Sequence, residues 1–312
     1  MSNRTCPFCA SSDTRPWRRR PEGAFLLCGA CGSYLKDISP DGFAQLHATA
    51  FEDGAFIQKS VGITGDSQPD FQTWDSLFSH LPAGRLLEIG PGTGHLLAAA
   101  RDRGWVVEAV ETSPSHRAWI ERAWGIAAKP DLEDLPQTFQ PDLIVMVNVL
   151  EHVMEPGLLL DLLARRLAPG GRLFISLPNA RSSVASMAGI WWAMFKPSDH
   201  VSIPSRSGLQ SLMDRSGWQA ERIWSSELPL ETPLGLAVAA RDRWRSRAPM
   251  PLSPEPTPAA GTSEGLPNNR VLKVIRRIPP AWEPTARLAG WIGRGATLKA
   301  WLRQAPSPPA TP

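Results

Sequence analysis

The stretch Leu86-Leu87-Glu88-Ile89-Gly90-Pro91-Gly92-Thr93-Gly94-His95-Leu96-Leu97 constrains this chain more than any other. An aliphatic run enters a turn with glycine at every second position, and a helical pattern begins directly after it. Such a step sets bare backbone and the free N–H groups of a helix start at the carboxyl end of a strand, where open α/β sheets take ligands. A dinucleotide fingerprint would read G-x-G-x-x-G, whereas His95 stands where its third glycine belongs. That spacing disfavours a nicotinamide-dependent oxidoreductase.

Apolar runs and helical stretches alternate around the turn. Strands are expected at Arg85–Ile89, Val106–Val110, Leu143–Val147 and Arg172–Ser176, with helices at His95–Arg103, Ser115–Trp124 and Gly157–Leu167 between them. This order predicts a parallel sheet covered by helices, an α/β fold. A helix over Gly208–Ser216 and a strand around Trp218–Ile223 follow. With 312 residues, 42% of them hydrophobic, the chain is long enough for a core of ordinary size and is neither disordered nor collagenous. A net charge of +3 is too small to demand a nucleic-acid partner. The uncharged stretch Val184–Phe195 falls short of the roughly 20 residues a membrane span needs. No apolar run follows the N-terminal Met-Ser-Asn-Arg, so a soluble, cytoplasmic protein is expected.

The cysteines form a second constraint. Cys6-x2-Cys9 and Cys28-x2-Cys31 are separated by eighteen residues, within the spacing of four-thiolate zinc sites. Two tight turns each offering two sulfurs build the tetrahedron that Zn²⁺ prefers, and a closed set of four makes the metal structural. Two disulfides or unligated thiols are the alternatives. Between the pairs lie Arg15, Trp17, Arg18, Arg19 and Arg20, read as a solvated hairpin or as a phosphate-binding tip.

Several acids are placed to serve a ligand at the glycine turn. Glu88 leads into it. Glu111 ends the second strand, where it can accept from ribose hydroxyls, and Asp131-Leu132 opens a segment where an acid can meet an adenine amino group. The fourth apolar run passes into Asn148-Val149-Leu150-Glu151-His152-Val153. Taken in order with Leu167-Ala168-Pro169-Gly170-Gly171-Arg172-Leu173-Phe174-Ile175-Ser176-Leu177-Pro178-Asn179, these segments resemble the class I S-adenosylmethionine-dependent methyltransferases over about Leu86–Asn179. The similarity is to the small-molecule branch that includes the ubiquinone-biosynthesis O-methyltransferases. The resemblance implies a doubly wound seven-stranded sheet with an antiparallel last strand, which Gly293–Leu302 is expected to supply. It implies S-adenosylmethionine as cofactor, held by Glu88, Gly90, Gly92, Gly94, Glu111, Asp131, Leu132 and Asn148. It is also compatible with an N-terminal zinc ribbon, and it marks Trp191 through Ser202 as a substrate-covering segment.

Methyl transfer to a hydroxyl needs a base, and a positioned histidine is the usual one. His152 is the first candidate and His200 the second, each against a structural reading in which it caps or packs. His95 is read as a lining or capping residue, and Trp191 and Trp192 as packing residues of the lid or as a stacking platform. Some relatives bind a divalent metal through Glu-x-x-Glu-His. Here Asn148 replaces the first Glu, so no catalytic metal is expected.

The resulting plan is a zinc ribbon over residues 1–40, a connector over 41–76 and a catalytic core over 77–247 with a lid around 181–207. A Pro-rich loop over 248–269, C-terminal helices and the last strand over 270–304, and a tail over 305–312 complete it. The expected acceptor is a small molecule or a glycan- or lipid-linked precursor. RNA methylation through the ribbon is the alternative, and a non-catalytic protein that binds the cofactor is a third reading. Arg270–Ile278 reads as a basic amphipathic helix, of the lid or weakly attached to a membrane surface. No pattern in the sequence speaks to oligomeric state.

Overall fold

The computed structural model describes residues 4–20, 23–45, 77–78, 81–195, 200–227, 231–245 and 283–305. Most of the expected connector, the Pro-rich loop over 248–269, the basic helix over 270–278 and the tail beyond 305 lie outside the described residues.

Among the described residues, ten strands fall into two sheets. The larger uses β4 (Arg85–Ile89), β5 (Val106–Val110), β6 (Leu143–Val147), β7 (Arg172–Pro178), β9 (Trp218–Ser226) and β10 (Thr297–Gln304) in the order β5-β4-β6-β7-β10-β9. Pairings among β5, β4, β6 and β7 are parallel, and β10 runs antiparallel to both β7 and β9. Beyond β5, a single parallel bridge from Val110 to Lys129 occupies the place of a seventh strand. Sequence-predicted strands coincide with β4, β5 and β6: β4 and β6 are buried at four of their five positions, and the edge strand β5 is exposed at Val106 and buried at Ala109 and Val110. Gly293 and Gly295 instead turn the chain ahead of β10, so the last strand begins at Thr297.

Helices α1 (His95–Arg101), α2 (Pro114–Trp124), α3 (Pro156–Arg166), α4 (Ser183–Ala188), α5 (Arg206–Arg215), α6 (Glu231–Arg245) and α7 (Glu283–Trp291) complete the architecture. Side chains alternate across the sheet. Leu86, Leu143 and Val145 pack with Leu96, Leu97 and Ile120 of α1 and α2 on one face. Leu87, Ile144 and Met146 pack with Leu160, Leu163, Leu209 and Leu212 of α3 and α5 on the other. The helix starts follow from local sequence. Ser113 accepts from the His116 N–H ahead of Pro114, and Ser182 and Ser205 cap α4 and α5 in the same way.

The smaller sheet has the order β1-β2-β3-β8, built from β1 (Thr14–Arg20), β2 (Gly23–Cys28), β3 (Tyr34–Lys36) and β8 (Ser202–Ile203). Its fourth strand thus comes from the far end of the lid. Arg20 departs from the solvated hairpin expected of its run: it is buried, donates to the Ile190 carbonyl at 2.8 Å and lies over the Trp191 ring at 5.2 Å. Trp192 is buried against Phe195, which favours packing over a stacking role. None of the described helices is long and apolar enough to cross a membrane.

Candidate active site and metal centre

The carboxyl ends of β4, β5 and β6 open on one edge of the sheet. After β4 the chain turns through Gly90, Gly92 and Gly94 at φ +64°, +56° and +76°, conformations that glycine reaches without steric cost. The three glycines meet different surroundings. A Cβ on Gly90 would lie 2.7 Å from Val149 Cγ2, so the loop after β6 rests directly on the turn. On Gly94 it would lie 2.9 Å from Trp124 Cδ1, where α1 meets α2. On Gly92 it would meet nothing within 4 Å: the middle of the turn faces open space. His95 sits behind this, its Nδ1 2.8 Å from Thr93 Oγ1 and its ring edge-on to Trp124.

Glu111 faces the turn. Its Oε2 accepts from the Gly92 N–H at 3.3 Å and its Oε1 from the Ser113 N–H at 2.9 Å, with His116 Nδ1 3.8 Å from Oε1. His116 was not among the sequence candidates. The first turn of α2 folds it back over Glu111, and no motif announces this. Glu88 is fully enclosed, and burial pushes its carboxyl up to about 8, the Glu111 charge adding to this and a Leu97 N–H opposing it. Its Oε2 has no hydrogen-bond partner among the described residues. Two carboxyl groups in one buried corner, beside open space at Gly92, suit a ligand that brings hydroxyl donors and positive charge.

Farther along the rim, Glu111 N–H donates to the Lys129 carbonyl, and two residues on Asp131 caps a 3-10 turn by accepting from Glu133 N–H. Asp131 is exposed and Leu132 buried, its carbonyl held by Arg166 at 2.8 Å. Asn148 follows β6 with φ +54°, a left-handed conformation that Asn tolerates, its side chain exposed and its N–H bonded to Ser176 O.

The 3-10 turn Leu150–His152 comes next. Across 47 intervening residues, the structure brings His152 and His200 together with ring centroids 4.6 Å apart and planes at 74°. Glu151 is buried beside them, and one ligand atom from each of the three lies within 4.8 Å of the others. Those three donors could hold a divalent cation. His200 Nδ1 lies 2.9 Å from the Met194 carbonyl. A carbonyl only accepts, so Nδ1 carries the proton and Nε2 is left as the proton-accepting nitrogen. Glu151 was visible in the motif next to His152, but nothing local shows that it meets His200.

In the ribbon, Cys6 Sγ is 3.7 Å from Cys31 Sγ and Cys9 Sγ 3.6 Å from Cys28 Sγ, with all four mutually within 4.8 Å. Disulfide sulfurs would lie about 2 Å apart. A zinc tetrahedron with bonds of about 2.3 Å has sulfur–sulfur edges of about 3.8 Å, so the four thiols fit the metal. Hydrogen bonds from Cys6 and then Ser33 help pull the Cys31 thiol down to about 4, while the shared bond and burial push Cys6 up. Thiolate character inside this cluster is what a zinc ligand set requires.

Residues 69–223 match the family described as "Methyltransferase domain", and residues 6–38 match "GATA zinc finger". Residues 69–223 thus form a domain of the methyltransferase family. The chain is 34% identical over 120 residues to the ubiquinone biosynthesis O-methyltransferase of Xylella fastidiosa (strain 9a5c), an alignment covering 35% of the chain and 48% of that relative. The chain thus spans about half the length of that relative. The Xanthomonas oryzae pv. oryzae (strain PXO99A) protein of the same name is 26% identical over 179 residues, covering 54% of the chain and 71% of the relative. Among solved structures, a complex of the Haloferax volcanii Trm112 methyltransferase activator with a methyltransferase shares the fold at TM-score 0.50 and 15% identity, covering 81% of this chain and 97% of that one.

Proposed function

We propose that this methyltransferase transfers a methyl group to a hydroxyl of a small molecule or of a glycan- or lipid-linked precursor, with His152 and His200 at the acceptor. The observation that carries the reading is the histidine pair at the end of β6, on the loop whose Val149 rests on Gly90. S-adenosylmethionine, when bound, supplies a sulfonium methyl group with its own leaving group. The protein's part is to align the partners and manage the acceptor's proton. Glu88, Gly90, Gly92, Gly94 and Glu111 hold the donor in this reading, with Asp131, Leu132 and Asn148 along its rim. His152 or His200 would take the acceptor's proton as the acceptor oxygen receives the methyl group that a bound donor would supply. Glu151, buried beside the pair, would when ionised favour the imidazolium that results.

Tritiated donor offered with phenolic, sugar-nucleotide and polyprenyl-linked alcohols, and separately with RNA, tests this. His152→Ala and His200→Ala should each lower turnover, the base by about 10²–10⁴-fold, with donor affinity retained. Wild-type turnover in both variants overturns the base assignment. Label found only on RNA, with binding that weakens steeply in salt, supports instead a role for Arg15, Arg18 and Arg19, which stand exposed on β1.

A further inference from the structure

We infer that the zinc ribbon is a positioning element of the active site: the zinc-held knuckle at Cys28–Cys31 sets where His200 stands. The inference rests on the reading of His200 as an active-site residue, and it assigns the ribbon a task beyond local stability.

Both flanks of His200 are built onto the ribbon. On the C-terminal side, Val201 O accepts from the Lys36 N–H at 2.9 Å, and β8 then pairs antiparallel with β3, Tyr34 opposite Ile203 and Leu35 opposite Ser202. Val201 N–H meanwhile donates to Glu151 O at 2.9 Å, so one residue links the ribbon strand to the loop that carries His152. The knuckle grips the next turn. Ser205 N–H donates to Ser33 Oγ at 3.0 Å, while Ser205 Oγ and Ser207 Oγ both donate to the carbonyl of Cys31, at 2.5 and 2.9 Å. Packing there is close enough that a Cβ on Gly208 would come within 3.2 Å of Cys31 Sγ.

On the N-terminal side, His200 takes its tautomer from Met194 O, and the neighbouring Phe195 is enclosed by ribbon aromatics. Its ring lies 5.3 Å from Trp17, 4.8 Å from Phe25 and 5.1 Å from Tyr34. His200 therefore spans two points whose positions are both defined by the ribbon. In the donor half, by contrast, Glu111 accepts from Gly92 and lies 3.8 Å from His116, and His95 bonds Thr93, all around the ends of β4 and β5 and the starts of α1 and α2. Strand β8 is only two residues long and cannot hold a register alone, so the thiolate-anchored knuckle supplies the rigidity.

The test uses the full chain labelled with ¹⁵N-histidine, the imidazole signals of His152 and His200 being assigned through His152→Gln and His200→Gln. Zinc is removed with a chelator, its loss verified by elemental analysis, and then restored. In parallel, Ser205→Ala cuts the tie to Cys31 while leaving all four thiols in place. Zinc removal should displace or broaden the His152 and His200 signals, restoration should return them, and Ser205→Ala should displace His200 with zinc still bound. Signals of His95 and His116 should stay, and S-adenosylhomocysteine affinity by calorimetry should change by less than about threefold. Unmoved His200 signals in both the zinc-free protein and Ser205→Ala overturn the inference. So does simultaneous loss of all four signals together with donor-site binding, which would make the ribbon a support for the whole fold. If the zinc-loaded wild type does not bind S-adenosylhomocysteine, the donor-site reading fails, and the histidine signals still decide the ribbon's role.

Discussion

Replacing Glu88 with Gln should stabilise the ligand-free protein, by an amount that grows with pH. Glu88 is enclosed by Leu97 and the base of the glycine turn with Glu111 nearby, and its carboxyl titrates at about 8 instead of the ordinary 4.5. The raised value means that the folded state prefers the neutral form. Below pH 4.5 the group is protonated whether the chain is folded or not, and nothing is lost. Between 4.5 and 8 the unfolded chain releases a proton that the folded chain keeps, so stability falls by about 1.4 kcal/mol for each pH unit. Above 8 the loss is complete, at about 4–5 kcal/mol, and at pH 7 it stands near 3 kcal/mol. Gln keeps the acceptor for the Leu97 N–H and carries no charge, so the variant escapes the loss. Urea unfolding of both proteins without donor, followed by circular dichroism from pH 5 to 9, measures the difference. A gap near zero at pH 5 that widens steadily and levels off above 8 is expected. A gap independent of pH would refute the argument, because it would place the ionisation of Glu88 outside this window or in a solvated environment.

A cationic donor beside Glu88 and Glu111 favours both carboxylates, so S-adenosylmethionine binding near pH 7.5 should release protons, seen as a dependence of calorimetric heat on the buffer's ionisation enthalpy, and Glu88→Gln should abolish most of that release. Gly94→Ala should lower the melting temperature and abolish donor binding, since the new Cβ meets Trp124 at 2.9 Å on top of about 1–2 kcal/mol of left-handed strain. Gly92→Ala, which meets nothing within 4 Å, should stay folded and weaken the donor in a calorimetric titration. Elemental analysis should find about one zinc per chain, and Cys28→Ser should lose it while the donor-binding half stays folded.

What could be read from sequence and what could not divides by range. β4, β5 and β6 were legible residue by residue, because each gathers several aliphatic residues into five positions: Leu86, Leu87 and Ile89 in β4, Val106, Val107 and Val110 in β5, and Leu143 through Val147 in β6. The cysteine pairs and the glycine turn were legible because their chemistry is local to a few residues. β1 was not read as a strand: Thr-Arg-Pro-Trp-Arg-Arg-Arg has no apolar alternation and owes its pairing to β2. β8 is two residues long and has no pattern of its own. The encounter of His152 with His200, and of Glu151 with both, depends on how the lid returns across the ribbon, and only the folded chain contains that information. Arg20 shows the same limit in reverse, since a run of arginines reads as solvated until a tryptophan from the lid is laid against one of them.

Strand β10 gives the order of events in synthesis an unusual weight. It is inserted between β7 and β9, and Leu298, Ala300 and Leu302 are wholly buried there, yet it is translated after all the other described strands. Until residues 297–304 emerge from the ribosome, β7 and β9 can have no direct neighbour on their facing sides, and two open edges wait in the nascent chain with their N–H and C=O groups exposed. The slot is filled only by a segment from far downstream in the message, which makes the final closure a long-range and therefore slow step. A premature stop ahead of Thr297 would release a polypeptide with its cofactor motifs intact and its sheet split in two, a natural substrate for chaperones and proteases. Completion of this sheet thus doubles as a check that the message was read as far as β10.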